Sequence, residues 1–155
     1  MIPLSFAAAV TASLFAAQSD ATVFSPALCP FNAGFPAPYI SSRLQDGGAM
    51  ASHSGAEGRR LALCAAEFRR PDASPCQDVR RLSRSVEASR PGARARWLIV
   101  GPDQCVREVT AAEDDTAWRY VIAASAGSVF MVEERLVAGA PVIEFEARKS
   151  EQSTN

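Results

Sequence analysis

Six arginines fall within residues 74–96, the segment SPCQDVRRLSRSVEASRPGARAR. A guanidinium group carries a fixed positive charge and several N–H donors, so a cluster of them is suited to bind carboxylate or phosphate groups. Arg80, Arg81 and Arg84 stand closest together and are our candidate binding residues. The competing interpretation is a charged helix face that contacts only water.

The pattern around these arginines predicts an α-helix over 75–89. Ser74, followed by Pro75 and Gln77, is typical of a capped helix start, and Arg90-Pro91-Gly92 is typical of a helix end. An apolar stripe lies at helical spacing and consists of Val79, Leu82 and Val86. At about 100° per residue the three arginines centre almost opposite this stripe, so they are predicted to face outward.

Charge is unevenly distributed along the chain, although the formal total is only −1. Residues 59–96 hold ten arginines against four carboxylates, a net charge of +6. Residues 97–155 hold five basic and ten acidic residues, a net charge of −5. Either the basic helix pairs with the acidic segment inside the molecule, or the molecule is polarised and binds an anionic partner.

The near-neutral total also limits the class of partner. Nucleic-acid-binding domains usually carry positive charge over the whole domain, so a nucleic-acid partner is not predicted. An anionic envelope component, such as lipopolysaccharide or phospholipid, or an acidic protein fits the local arginine cluster better.

His53 is the only histidine and therefore the only candidate for a histidine general base. It stands in Ala51-Ser-His-Ser-Gly55, beside two serines, whereas catalytic groups usually converge from separate parts of a chain. No Gly-x-Ser-x-Gly elbow is present. A small hydrolase using His53 is thus the alternative function, and an exposed loop histidine is the favoured interpretation.

Paired carboxylates offer a second possible catalytic chemistry, that of glycosidases. Glu133 and Glu134 are neighbours in a predicted strand and would point to opposite faces. Glu144 and Glu146 would share a face and could pair with Arg135 across a hairpin, which explains them without catalysis. The run 113–115 lacks the spaced ligands of a calcium loop and is interpreted as solvated charge.

The four cysteines predict two disulfides, because an even number in an exported chain usually pairs. They are Cys29, Cys64, Cys76 and Cys105, and sequence leaves all three pairings open. They show no CxxC spacing, which argues against zinc. No metal or other cofactor is predicted.

Residues 1–21 are predicted to be a signal peptide. The first 19 residues carry no charged side chain, and an apolar run over 4–17 is followed by small residues suited to cleavage. This run is short for a membrane span, and Cys29 lies too far along for a lipoprotein signal. An uncleaved anchor or a buried apolar helix is the alternative. Cleavage would leave no transmembrane anchor and a periplasmic or secreted chain.

The remaining segments are assigned from their local patterns. Residues 22–55 are rich in Pro, Gly and Ser and are predicted to be irregular, and 149–155 a flexible tail. Ser54 and Glu57 have capping-box spacing, so a helix is predicted over 56–69, with a strand over 61–68 as the alternative. Five strands are predicted after the arginine helix, over 97–100, 105–110, 117–125, 128–137 and 142–148.

These assignments predict one α+β domain over 56–148, in which one or two N-terminal helices pack on a C-terminal, mainly antiparallel sheet stapled by disulfides. No phosphate loop or nucleotide fingerprint is present. The sequence therefore predicts a small exported, non-catalytic binding protein, with the hydrolase as the alternative.

Overall fold

The computed structural model of the chain describes residues 13–19, 23–36 and 38–148. The predicted tail 149–155 lies outside the described residues, as does most of the predicted signal peptide 1–21. The elements in chain order are β1 Ser13–Ser19, β2 Val23–Phe24, β3 Phe31–Gly34, β4 Tyr39–Leu44, β5 Ala49–Gly55, β6 Gly58–Ala65, α1 Pro75–Ser89, β7 Arg94–Val100, β8 Gln104–Glu113, β9 Thr116–Ser125, β10 Val129–Val137 and β11 Phe145–Ala147.

The strands form two antiparallel sheets. The large sheet has eight strands in the order β1-β4-β5-β6-β10-β9-β8-β7, and the small sheet has the order β11-β3-β2. Helix α1 packs on one face of the large sheet, over β8 and β9, and the small sheet covers part of the other. We call these the helix face and the small-sheet face.

Each face buries its own apolar cluster because successive side chains of a strand alternate between faces. In β10, Val129 and Met131 join Val79, Leu82 and Val86 of the helix. Phe130 and Val132 instead join Phe24, Phe31 and Phe35 from the small-sheet side. The three layers of helix, large sheet and small sheet are therefore held by two separate cores.

The predicted two disulfides are present, and the structure selects one of the three pairings. Cys29–Cys64 joins the loop before β3 to β6, with Cα atoms 6.0 Å apart, and thus links the small sheet to the large one. Cys76–Cys105 joins the first turn of α1 to β8, with Cα atoms 5.1 Å apart. Each bridge therefore fastens one outer layer to the central sheet. Disulfides of this kind indicate an oxidising environment.

The fold class is confirmed only in part. An antiparallel sheet and two disulfides are present, but the described residues contain one helix, and that helix lies in mid-chain after six strands. The prediction of N-terminal helices packed on a C-terminal sheet is therefore wrong in arrangement. The helix over 75–89 and the strands over 117–125 and 128–137 lie close to their predicted bounds, whereas β7 and β8 are longer than predicted. The strand predicted over 142–148 is shortened to β11, which pairs with β3 in the small sheet and does not form a hairpin with β10. No helix in the described part of the chain is long and apolar enough to span a bilayer.

The predicted helix over 56–69 is replaced by strand β6, close to the alternative over 61–68. Ala62, Leu63, Cys64 and Ala65 are all fully buried between the two outer layers. A strand buried on both faces reads as a continuous apolar run without alternation, so periodicity could not identify it. Ser54 and Glu57 flank the β5–β6 hairpin, where Gly58 adopts φ +132°, and do not form a helix cap.

Residues 22–55, predicted to be irregular, contain strands β2 to β5. The prolines of this segment interrupt the strands and leave their pairing intact, because Pro26, Pro30, Pro36 and Pro38 fall between strands. Four aromatic residues of the segment, Phe24, Phe31, Phe35 and Tyr39, belong to the core beneath the small sheet, and Phe24 contacts Phe35 edge to face.

Candidate anion-binding surface

Helix α1 begins with the predicted capping box. Gln77 donates its backbone N–H to the Ser74 hydroxyl, and its side-chain oxygen accepts from the Ser74 N–H at 2.8 Å. Buried Asp78 accepts from the Arg70 N–H and pairs with Arg69 and Arg81. These contacts hold the β6–α1 loop against the first turn, so the helix has a fixed start and a fixed orientation.

The structure separates the three predicted binding arginines into two groups. Arg81 is half-buried: it pairs with Asp78 at 3.1 Å and donates to the Phe68 carbonyl at 2.9 Å. Arg80 and Arg84 are exposed one turn apart. Neither forms an ion pair with a described residue. Two of the three guanidinium groups are thus available to an external anion, and the third supports the loop.

Arg80 lies beside an aromatic ring supplied by the neighbouring edge strand. Its guanidinium carbon is 5.8 Å from the centre of the Trp97 ring, and that of Arg107 is 4.8 Å away. Arg107 also donates to the Ser83 hydroxyl at 3.0 Å and approaches Glu87 at 3.9 Å. Trp97 therefore positions cationic groups between α1 and β7. We call Arg80, Arg84, Arg107 and Trp97 the arginine surface.

The small-sheet face of the large sheet carries a row of alternating charges across five strands and the β5–β6 turn. We call it the charge ladder, and its members in order are Glu57, Arg60, Glu134, Arg119, Glu108 and Arg96. The five ion pairs between successive members have N–O distances of 3.3, 3.2, 2.8, 2.8 and 2.8 Å. Antiparallel pairing sets Arg60 and Arg119 directly opposite Glu134 on either side, so the register itself creates the row.

Glu134 is the centre of the ladder and is completely buried. Besides the two arginines, its carboxylate accepts the Ile143 N–H at 3.0 Å. The segment after β10 is held over the ladder by Arg60 and Arg119, which donate to the carbonyls of Pro141 and Ile143. The ladder is therefore a satisfied structural network.

The pKa of Glu108 shows the same pairing. Burial on its own would raise the pKa, but hydrogen bonds from Arg119 and Arg96, with the charges of both, outweigh burial and lower the pKa below 4.5. Glu108 is thus a carboxylate held in its charged form by its neighbours.

The ion pairs on the two faces show which basic residues pair with the acidic segment inside the molecule. Glu108 and Glu134, the buried carboxylates of the large sheet, pair with the strand arginines of the charge ladder. They lie on the face opposite α1 and are not partners of Arg80 or Arg84. Internal pairing between the basic and acidic segments is therefore made by Arg60 and Arg96 of the strands, and not by Arg80 or Arg84 of the helix.

A second aromatic–cationic group lies at the C-terminal end of α1. The guanidinium carbons of Arg90 and Arg135 lie 3.4 and 5.0 Å from the centre of the Trp118 ring. Arg90 also donates to the Tyr120 hydroxyl at 3.1 Å. Burial raises the pKa of Tyr120, and the bond from Arg90 opposes that rise. The arrangement secures the helix end to β9.

Glu133 adjoins this group without a hydrogen-bond donor among the described residues. Burial raises its pKa above 4.5, and the charges of Arg90, Arg59 and Arg135 only partly offset that effect. The protonated form is thus favoured by folding, and the contribution of Glu133 to stability is lost as the pH rises from 4.5 through the raised pKa.

We therefore expect Glu133→Gln to be more stable than the wild type at neutral pH, because it removes the cost of burying a charge. The difference should shrink as the pH is lowered towards 4.5. Urea denaturation of both proteins over this pH range tests it, with exposed Glu144→Gln as the control. A Gln variant less stable at neutral pH would contradict the assigned cost.

The structure does not assemble a catalytic group around His53. His53 lies in β5 opposite Arg60 on the small-sheet face, whereas Ser52 and Ser54 point to the other face. Its Nδ1 atom is buried and has no hydrogen-bond partner among the residues that the structure describes. Glu133 and Glu134 point to opposite faces, as predicted, and Glu144 and Glu146 are exposed near β11. No cluster of possible metal ligands occurs within the described ranges.

Sequence reasoning missed Trp97, Arg107 and the charge ladder. Trp97 and Arg107 lie in neighbouring strands, so their meeting with α1 depends on tertiary packing. The ladder did leave a signal: Arg60, Glu108 and Glu134 interrupt or border apolar strand segments. A charge at such a position requires a buried partner, but the strand order that supplies the partner cannot be inferred from the local sequence.

Comparison with known proteins identifies no relative: no protein family matches the chain, and no curated protein or solved structure is similar to it.

Proposed function

We propose that this chain is an exported, non-catalytic binding protein whose arginine surface recognises an anionic partner. The observation that carries the proposal is the division of the arginines. Arg60, Arg96 and Arg119 are used in the charge ladder, whereas Arg80 and Arg84 are exposed without an acidic partner in the described part of the chain.

Export is the second part of the proposal. The apolar, charge-free start of the sequence supports it, and so do two disulfides, which persist in oxidising compartments such as the periplasm or the exterior of the cell. In that setting the fitting partners are lipopolysaccharide, anionic phospholipid or an acidic protein. The near-neutral total charge speaks against nucleic acid.

The hydrolase alternative has less support. Hydrolysis by His53 would need a nucleophile within hydrogen-bond reach, and the two neighbouring serines point to the opposite face of the sheet. The strand register places His53 opposite Arg60, beside the charge ladder.

The proposal predicts that Arg80→Ala with Arg84→Ala weakens binding several-fold and reduces its dependence on salt, while folding is unchanged. The measurement is binding to lipopolysaccharide and to phosphatidylglycerol vesicles at low and high ionic strength, with capture from a periplasmic extract as a third probe. Salt screens electrostatic contacts, so binding through charged side chains weakens as the ionic strength rises. A variant that lacks two of these charges should therefore show a smaller change of affinity with salt.

Arg94→Ala provides the matched control, because Arg94 is an exposed arginine on the other side of the molecule. If the double variant binds all three probes as the wild type does, the arginine surface is not the binding site. If Arg94→Ala weakens binding equally, total charge alone explains the effect.

A further inference from the structure

The structure pairs part of the predicted signal peptide with the large sheet. Strand β1 falls within residues 1–21 and forms an antiparallel pair with β4, in which Gln18 lies opposite Ile40 and Ser19 opposite Tyr39. If export removes residues 1–21, β4 becomes the edge of a seven-stranded sheet. We propose that a second copy of the processed chain then occupies this edge, which joins two sheets through β4. This inference rests on the proposed export.

The outer edge of β4 is equipped to accept a strand. The Leu44 N–H donates to Gly48 on the β5 side at 2.9 Å. Because successive amides of a strand point to alternate sides, the amides of Ser41 and Arg43 point to the outer edge. Ser41 lies opposite Ala17 of β1, so removal of β1 would leave the N–H and the carbonyl of Ser41 without a strand partner. The pairing with β1 is regular over residues 16–19, opposite 39–42, and irregular between Ser13 and Ala16, so an antiparallel strand fits along the first part of this edge.

The two edges of the large sheet differ in their protection. Strand β7 carries Arg94 and Arg96 and has an irregular register with β8 between Trp97 and Ile99, features that discourage further pairing. Strand β4 pairs with β5 in regular register, has Arg43 as its one charged residue, and exposes Ile40 by 53%. An edge so lightly protected indicates that it is normally covered.

A second copy can pair with this edge because β4 of one copy can form an antiparallel pair with β4 of the other. A two-fold axis perpendicular to the sheet pairs identical strands in antiparallel orientation. When the axis passes near Ser41 or Ser42, Arg43 lies opposite Tyr39 or Ser41 of the other copy and does not face a like charge. The same axis leaves both helices on one side of the joined sheet, so both arginine surfaces would face one anionic surface and bind it jointly.

The experiment uses the full chain, expressed with its own N-terminal segment in a bacterium that has a periplasm. Intact mass of the recovered protein shows whether the segment was removed, and sedimentation velocity over a range of concentrations gives the oligomeric state. Ser41→Pro removes an N–H that points to the outer edge, so no hydrogen bond between β4 and β5 is lost. Ser41→Ala, which keeps that N–H, is the matched control. Ile40→Lys is an independent block that introduces a charge at the edge.

Processed wild type and Ser41→Ala are expected to be dimeric, and Ser41→Pro and Ile40→Lys monomeric with a retained thermal transition. Recovery of an uncut chain, a processed monomer at every concentration, or a dimer unaffected by both blocking variants would overturn the inference. Arg80→Ala with Arg84→Ala should remain dimeric while its binding to lipopolysaccharide weakens several-fold. Failure of the arginine surface is therefore distinguishable from failure of the dimer.

Discussion

Replacing Glu134 by alanine is expected to lower the free energy of unfolding by about 3–5 kcal/mol, as when one partner of a buried ion pair is removed. Glu134 is completely buried, and Arg60 is only 2% exposed. The variant would leave the Arg60 guanidinium with little compensation, and Arg119 would keep only Glu108. It would also remove the acceptor of the Ile143 N–H, which should loosen the segment before β11.

Urea denaturation measures this loss, and two further variants separate its causes. Glu134→Gln keeps a carbonyl acceptor and nearly the same volume, so it should lie between the wild type and the alanine variant. Glu146→Ala removes an exposed carboxylate near β11 and should change stability by no more than about 0.5 kcal/mol. A Glu134→Ala protein as stable as the wild type would show that the charge ladder contributes nothing to folding.

The second large effect is expected from the pair Cys29→Ala and Cys64→Ala. The bridge spans 35 residues of chain, and closing a loop of that length restricts the unfolded chain by about 4 kcal/mol. Both cysteines are fully buried between the two sheets. Their removal should therefore cost about 2–5 kcal/mol and release the small sheet first.

Hydrogen exchange distinguishes this local effect from general destabilisation. Amides of β2, β3 and β11 should lose protection before those of α1 in the variant without the Cys29–Cys64 bridge. The matched control removes Cys76 and Cys105, whose bridge spans 29 residues, so its global cost should be similar. In that control the first turn of α1 should lose protection first. The same exchange pattern in both variants would contradict the separate roles of the bridges.

How far the sequence predicted the fold depended on how local the signals were. The helix over 75–89 has its cap, its apolar stripe and its end within one segment, and its bounds were predicted correctly. Strands β9 and β10 are separated by turn residues and also lie near their predicted bounds. The last predicted strand, over 142–148, differs most, because its partner β3 is distant in the sequence. Strand β6 is predicted only as the alternative to a helix, because a second layer, formed by residues distant in the sequence, buries its other face.

The arginine surface was predictable only in the part that depends on helical spacing, which is a local signal. Helical spacing placed Arg80 and Arg84 opposite the apolar stripe, and both are exposed in the structure. Arg81 was expected beside them, but buried Asp78 one turn earlier binds it. Only the fold of the β6–α1 loop makes Asp78 a buried acceptor, for the Arg70 N–H and for Arg69. Trp97 and Arg107 join the surface through strand pairing, which spacing within the helix does not reveal.

The proposed function requires that Arg80 and Arg84 are accessible while Arg60 and Arg119 of the charge ladder are buried, and covalent labelling tests that difference directly. The folded protein would be treated with phenylglyoxal, which modifies arginine, and the rate at each site read by mass spectrometry, with and without lipopolysaccharide. We predict that Arg80 and Arg84 react rapidly, that lipopolysaccharide slows them selectively, and that Arg60 and Arg119 react only on unfolding. Slow reaction at Arg80 and Arg84 in the free protein, or rapid reaction at Arg60 and Arg119, would contradict the division.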